Sequence, residues 1–229
     1  LTTLAVSAHG VDLPRLEGML KTLAEEVRLT LRRDAASDLA RLLGQAARLE
    51  ALRLALTRRS DTGLIGQHRS QYFDVGQLTL VGLAAHAWQS QSGYRGLTAY
   101  FYDPGSRRWA SWSEARPADQ GLFVPEQRFR ADGPWQGCTS PDEASRSVIR
   151  LTGAWRNAQG RLSGRPSVKA VVTGPAYIGK LDCAIDDWSR LAEQARRLYA
   201  GGLSEQTENE DLALIVPAAC GPAHWDPLT

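Results

Sequence analysis

The chain has 229 residues, of which 43% are hydrophobic and 23% are charged, and its formal net charge is +2. This length and composition are typical of a globular protein with one or two domains. The longest apolar runs, Leu78–Ala87 and Leu212–Ala219, are too short to span a bilayer, and no signal-peptide pattern opens the chain. We therefore expect a cytoplasmic protein without a membrane partner. Because the first residue is Leu1 rather than Met, we also expect a piece of a longer protein.

Residues 1–66 are predicted to form a helical hairpin. Asp12 is the expected N-cap of the first helix, with Pro14 in its first turn. A second helix is expected over Ala36–Arg58, and the short break near Asp34–Ser37 predicts an antiparallel pair. The first helix, over residues 11–33, shows one apolar stripe of Leu13, Leu16, Leu20, Leu23, Val27 and Leu31.

Residues 67–178 change to a pattern of strands and turns. Asp103-Pro104-Gly105-Ser106 is a turn signal between two of the strands. The long connection Arg116–Ala144 is expected to be an ordered loop with a short helix after Ser140. Five antiparallel strands with this excursion predict a small OB-like β-barrel, with an SH3-like barrel as the second choice. The expected strands are Phe73–Leu83, Leu97–Tyr102, Trp109–Glu114, Ser147–Trp155 and Arg161–Val172.

The remaining residues predict a helix followed by a strand. Residues 179–204 hold the helix, Asp186–Tyr199, which is expected to end at Gly201-Gly202. Residues 205–229 are expected to be an acidic linker and a strand, Leu212–Val216, of a truncated second β segment. The predicted fold class is therefore α+β, with the helical hairpin packed on the barrel.

Charge is distributed unevenly along the chain. Residues 1–179 hold 23 Lys or Arg against 16 Asp or Glu, whereas residues 180–229 hold 4 against 9. The body thus carries +7, which is weaker than a dedicated DNA-binding domain usually shows, and the tail carries −5. Nearly all the basic residues are arginine, which suits bidentate contacts with phosphate, although a GC-rich genome explains the same bias.

The hairpin between Gly93 and Pro117 is unusually rich in Tyr, Trp and Arg. Period-2 alternation places Tyr100 and Tyr102 on one face of the first strand and Leu97, Ala99 and Phe101 on the other. One interpretation is a face that binds single-stranded nucleic acid by stacking its bases. The other is that these aromatic side chains fill the barrel wall. The candidate nucleic-acid-binding residues are Tyr94, Arg95, Tyr100, Tyr102, Arg107, Arg108, Trp109 and Trp112.

Other chemistry has little support in the sequence. Cys220 and His224 form one Cys-x3-His pair, whereas structural zinc needs four ligands, so no metal site is predicted. No nucleophile motif, phosphate-binding loop or paired carboxylates indicate catalysis, and we predict neither an enzyme nor a cofactor. Trp135, in a Gly- and Pro-rich loop, is a candidate anchor for a protein partner, because tryptophan is enriched at interface hot spots.

Several short motifs resemble a region that follows the zinc module in bacterial SWIM zinc-finger family proteins. They are SerAlaHisGlyValAspLeuProArgLeu at 7–16, Trp88, SerGlyTyrArgGlyLeuThr at 92–98, PheTyrAspPro at 101–104, AlaArgPro at 115–117, GlyArgLeuSer at 160–163, and ValProAlaAla with HisTrpAspPro in 216–227. The family's Cys-x-Cys and Cys-x-His cluster is absent, so no residue inherits a metal role. The resemblance implies a multidomain protein that binds nucleic acid or protein partners and has no known reaction. Because the charge is modest and catalytic motifs are absent, we predict a non-enzymatic interaction or scaffold module of this larger protein, with single-stranded nucleic-acid binding as the alternative.

Overall fold

A computed structural model describes residues 1–58, 62–66, 71–90, 93–118, 123–200, 212–219 and 221. These residues form two compact units, and the chain passes from the first to the second between Gln71 and Tyr72. The first unit is helical, and the second contains a five-stranded antiparallel sheet, so the α+β class is confirmed. Among the described helices, none is long and apolar enough to cross a membrane.

The described residues of the first unit form four helices where the sequence predicts two. They are α1 (Thr2–Gly10), α2 (Pro14–Leu31), α3 (Leu39–Arg58) and α4 (Thr62–Ile65). The predicted cap at Asp12 is wrong, because Asp12 has a left-handed φ of 56° and Leu13 occupies the N-cap position. Pro14 does lie in the first turn of α2. The start of α3 is fixed by Asp38, whose Oδ1 accepts hydrogen bonds from the backbone N–H groups of Ala40 and Arg41.

The helices of this unit pack through small and aliphatic side chains. Ala5 and Ala8 of α1 are buried against Leu20 of α2. Glu26 of α2 is also buried, and it accepts a hydrogen bond from Nη2 of Arg41 on α3 at 3.0 Å. A buried carboxylate needs such a partner, so this ion pair fixes how α2 lies against α3.

The second unit is built on a sheet with the strand order β3-β2-β1-β4-β5. Two short helices lie between β3 and β4, and the second of them, after its N-cap Ser140, is the helix that the sequence predicts. The elements are β1 (Tyr72–Gln89), β2 (Tyr94–Asp103), β3 (Arg108–Pro117), α5 (Pro125–Phe129), α6 (Pro141–Arg146), β4 (Ser147–Asn157) and β5 (Lys169–Pro175).

Strand β1 is the long central element and runs further than the predicted Phe73–Leu83. Its first half pairs with β4 and its second half with β2, with irregularities in register near Gly76 and Gly82. An ideal Cβ on Gly82 would lie 2.2 Å from the backbone oxygen of Ala144, so only glycine lets α6 approach the strand this closely. Helix α6 therefore packs directly on β1, and its Ala144 belongs to the hydrophobic core.

The core is made of side chains from all five strands and the loops that cross them. Phe101 and Leu97 of β2 are fully buried with Leu80 of β1, as the alternation of β2 predicts for its two residues. The remaining large buried members of this cluster are Trp112, Trp135, Ile149, Leu151, Leu162 and Val168.

The sheet ends at β3 on one side and at β5 on the other. The predicted last strand, Arg161–Val172, forms a ladder only from Lys169 onward. Before it, residues 160–162 run parallel to β3: the N–H of Ser111 donates to the oxygen of Gly160 at 3.2 Å, and the N–H of Leu162 donates to the oxygen of Ser111 at 2.7 Å. Two hydrogen bonds are not a strand ladder, so a closed barrel stays a prediction.

The chain then forms a 3₁₀ turn (Ile178–Lys180), β6 (Ala184–Ile185), α7 (Trp188–Ala200) and β7 (Leu214–Ile215). Strand β7 is the predicted terminal strand, and it pairs in parallel with β6, so its partner lies within this chain. The predicted linker over 205–211, the glycines at 201 and 202, Cys220 and His224 lie outside the described residues.

Candidate nucleic-acid interface

The eight candidate residues of the β2–β3 hairpin lie on both sides of the sheet. Residues directly opposite each other on antiparallel strands share one side, so the register assigns each side chain to the core or to the other surface. We call the surface opposite the core the outer face. On β1 it comprises Val81, Ala84, His86 and Trp88; on β2, Tyr94, Gly96, Thr98, Tyr100 and Tyr102; and on β3, Trp109, Ser111, Ser113, Ala115 and Pro117.

Two of the predicted binding residues belong to the core. Trp112 is 5% exposed, and the guanidinium of Arg128 lies 5.2 Å from its ring centre. Trp135, the proposed protein anchor, is 3% exposed: its Nε1 donates to the backbone oxygen of Ser163, and its ring lies 5.7 Å from that of Phe101. Neither indole is accessible to a ligand in this conformation, and both stabilise the sheet from inside.

Tyr102 and Arg107 meet at a single carboxylate. The hydroxyl of Tyr102 donates to Oδ1 of Asp182 at 2.6 Å, and Nε of Arg107 donates to Oδ2 of the same side chain at 2.6 Å. Tyr102 lies on the outer face but is only 2% exposed, because residues around Asp182 cover it. Trp109, its cross-strand neighbour, is half-buried with its ring edge-on to that of Tyr102 at 6.3 Å.

These contacts shift the acidity of the groups involved. The hydrogen bonds from Tyr102 and then Arg107 hold the pKa of Asp182 below its usual value. Burial, and next the hydrogen bond to Asp182, raise the pKa of Tyr102, so the phenol stays a hydrogen-bond donor. Burial also raises the pKa of the neighbouring Cys183, which argues against a reactive thiolate there.

The other predicted residues are at the surface. Tyr94 and Arg95 are exposed at the start of β2, and Tyr100 is half-buried in its middle. Arg95 lies directly opposite Arg116 of β3, and alternation places both on the core side of the sheet rather than on the outer face. Like charges at directly opposed positions are unfavourable in a sheet, and Glu114 compensates them here, since Nη2 of Arg116 donates to its Oε1 at 3.0 Å. Arg108 is exposed at the other end of the hairpin, with Nη2 donating to the oxygen of Ala158.

Trp88 is a member of this surface that was not among the predicted binding residues. It is paired with Gly96, and an ideal Cβ on Gly96 would lie 2.2, 2.3 and 2.7 Å from three atoms of the Trp88 ring. A Cβ beside the edge of the ring would be close to one ring atom and clearly further from its neighbours. Three similar short distances therefore place this Cβ above the ring face, so the indole lies flat on Gly96. Nε1 of Trp88 donates to Oγ1 of Thr98 at 2.9 Å, and Thr98 donates on to Ser113 at 3.0 Å. The half-buried ring is thereby held parallel to the sheet.

Arg161 borders the outer face on its other side, at the edge of β3. It is half-buried, it follows the backbone contact between residues 160–162 and Ser111, and its Nη2 donates to the backbone oxygen of Ser113 at 3.1 Å. Arg161 too was missed as a binding residue, because its place depends on a long-range contact. Across β1–β3 the outer face thus carries aromatic rings, His86 and small polar side chains, and its described residues include no Asp or Glu.

The described residues hold no group of three or more His, Cys, Asp or Glu side chains placed to bind a metal. No family model matches the sequence, and no curated protein is significantly similar to it. The outer face is therefore the feature that indicates the class of protein. The likeness to the SWIM zinc-finger family stays a prediction.

Proposed function

We propose that this chain is a non-enzymatic binding module and that the outer face of β1–β3 binds single-stranded nucleic acid. The observation that carries the proposal is the indole of Trp88, which lies flat on Gly96. Arg161 borders the same face, and the described residues of the face include no Asp or Glu. A flat, pinned aromatic ring stacks on any base, and each such contact is worth about 1–3 kcal/mol. Arginine supplies the contacts with the sugar–phosphate backbone.

The topology supports an OB-like arrangement for the second unit. Strand β1 pairs with both β2 and β4, a helix lies between β3 and β4, and residues 160–162 contact β3 in parallel. In OB-folds the face of strands 2 and 3, together with the loop between strands 4 and 5, binds oligonucleotides. Here that position is occupied by the outer face and by Arg161.

The test is a fluorescence anisotropy titration of the full chain with a labelled oligothymidylate of about twelve nucleotides, a length within the range that OB-folds cover. We expect saturable binding that weakens with salt. If Arg161 and one further arginine of the hairpin contact two phosphates, the slope of log K against log salt is about −1.4. Absence of saturable binding at low salt, or binding that salt does not weaken, would reject the proposal.

Variants of Trp88 locate the site. Trp88→Phe keeps an aromatic ring and is expected to retain most of the affinity, whereas Trp88→Leu is expected to lose about tenfold, a typical value for one stacked base. Trp188→Ala is the matched control, because Trp188 is 75% exposed but lies on α7 rather than on the outer face. Equal losses for Trp88→Leu and Trp188→Ala would show that binding does not use this face.

A second candidate is the interaction or scaffold role, which one observation on the helical unit favours. Leu39 and Leu43 lie one turn apart on α3 and are 68% and 71% exposed, and Leu4 of α1 is also exposed. Exposed leucines on one helix face are typical of a docking surface for protein. The test is a double variant, Leu39→Lys with Leu43→Lys. If this variant has the same association state and the same cross-linking pattern as wild type, the exposed leucines no longer support a docking role.

A further inference from the structure

The segment formed by residues 181–185 covers one end of the outer face. Tyr102 and Trp109 continue the row of outer-face side chains beyond Tyr100, but this segment buries the first and half-buries the second. An open cleft of about 350 Å³ lies beside them, with Trp109, Asp182 and Cys183 among its lining residues. Arg190 and Arg197 of α7 border the same cleft; the first is paired with Asp186 and the second with Glu193, which also lines the cleft. We call residues 181–185 the cover segment.

Asp182 is the residue of the cover segment that bonds to the hairpin through its side chain. In the described part of the chain, the side-chain hydrogen bonds from residues 181–185 to β2 and to the β2–β3 turn both end on this carboxylate. Tyr102 donates to one of its oxygens and Arg107 to the other. A phosphodiester presents the same pattern, since it has two non-bridging oxygens that carry one negative charge. The donors of Tyr102 and Arg107 are therefore arranged as the two oxygens of one anion require.

We infer that Tyr102 and Arg107 are a phosphate-binding site that Asp182 occupies in the free protein, and that a phosphate of single-stranded nucleic acid displaces it. Displacement uncovers Tyr102 and Trp109 and lengthens the stacking surface toward that end of the face. The inference rests on the proposed function, because the strand that reaches this site is the one bound on the outer face.

The contacts of Asp182 are of the kind that a ligand displaces easily. The Arg107 side chain is 76% exposed and that of Asp182 is 43% exposed, and ion pairs with this exposure add little to stability. Strand β6, which contains the end of the cover segment, has two residues and pairs with β7, which is equally short. The buried side chain of Ile185 anchors the C-terminal end of the segment, so the contacts that a ligand must break are those of Asp182.

The experiment compares Asp182→Asn with wild type in the oligothymidylate titration. Asparagine keeps the size of the side chain but lacks the charge that competes with phosphate, so we expect affinity to rise about fivefold to tenfold. This is the gain expected if about a tenth to a fifth of wild-type molecules are uncovered. Glu25→Gln is the matched control, because Glu25 is a carboxylate with a similarly exposed side chain (40%) that pairs with Arg28 of α2 and not with the hairpin. It is expected to leave the affinity within about twofold.

Arg107→Ala, made in wild type and in Asp182→Asn, tests whether Arg107 binds phosphate or only holds Asp182 in place. In the wild-type background the loss of Arg107 removes a phosphate contact but also one of the two bonds that hold Asp182 in place, so the two effects offset and affinity is expected to change little. In the Asp182→Asn background only the phosphate contact is lost, so the substitution is expected to cost severalfold. Additive effects of the two substitutions would overturn the inference.

Hydrogen exchange gives an independent measurement. Saturating oligothymidylate is expected to speed exchange of the backbone amides in residues 181–185 of wild type, because the segment is displaced. Slower exchange there would overturn the inference, as would an Asp182→Asn affinity equal to or below that of wild type. If wild type and Asp182→Asn both fail to bind, the inference and the proposed function are both wrong. If wild type binds and Asp182→Asn binds no better, only the inference is wrong.

Discussion

Gly96→Ala tests whether the indole of Trp88 is held flat on the sheet. The new Cβ would lie 2.2 Å from the nearest ring atom, whereas carbon atoms in contact are about 3.5–4.0 Å apart. The ring must therefore move by roughly 1.5 Å, and it is tied by its hydrogen bond to Thr98 at 2.9 Å. A shift of this size lifts the indole from the strand and breaks that bond.

The magnitude follows from these two effects. Overpacking of a well-packed site costs about 1–3 kcal/mol, and a lost hydrogen bond costs about 1 kcal/mol. We expect the free energy of unfolding to fall by about 2–3 kcal/mol, since part of the strain is relieved when the ring moves. Affinity for oligothymidylate is expected to fall about tenfold, because the stacking platform is displaced.

Urea unfolding measures the first quantity and anisotropy the second. Gly179→Ala is the control for stability: Gly179 belongs to the same unit, its φ is not left-handed, and an added Cβ would meet only a side-chain atom of Val216 at 3.9 Å. A Gly96→Ala protein that unfolds within about 0.5 kcal/mol of wild type, as ordinary surface substitutions do, would refute the argued position of the Trp88 ring.

Three further predictions concern groups away from the ring. Asp103→Asn is expected to lower the free energy of unfolding by about 3 kcal/mol in a urea titration. Asp103 is a buried carboxylate that pairs with Arg156 at 2.9 Å and accepts hydrogen bonds from the following turn. An unchanged free energy of unfolding would contradict this prediction. The free energy of unfolding is expected to fall on acidification below about pH 4, and to fall less in Asp182→Asn than in wild type. In the folded protein the pKa of Asp182 is lowered from 3.8, so the ionised carboxylate stabilises the fold above pH 3.8. This stabilisation is lost as the pH falls through the folded pKa. Burial raises the pKa of Cys138 to about 11, against an ordinary 9.0. Because the thiolate is the reactive form, alkylation of Cys138 at pH 8 is expected to be about a hundredfold slower than that of a free thiol. Alkylation as fast as in the unfolded chain would contradict this prediction.

The sequence predicts local features of this molecule well. Alternation along β2 correctly assigns Leu97 and Phe101 to the core, since the period of two is a property of any strand. Pro14 and Ser140 mark helix starts because each acts within its own first turn. Helix α1 was missed, because its apolar residues are spread around the helix rather than gathered in a stripe.

The candidate site depends on contacts between distant residues, and these are what the sequence did not reveal. Alternation places Tyr102 on the outer face, but it does not show that Asp182, eighty residues later, covers it. The pairing of Trp88 with Gly96 follows from a strand register that includes a bulge, so no motif announces it. Arg161 reaches β3 through the crossing of residues 160–162, which the sequence suggests only as part of a strand.

Mapping of backbone amide chemical shifts on addition of oligothymidylate tests the central claim most directly. We expect the perturbed amides to cluster at residues 86–88, 94–100, 111–115 and 161, and the helices of the first unit to stay unaffected. Perturbations confined to those helices, or none at a saturating concentration, would contradict the assignment of the outer face as a surface for single-stranded nucleic acid.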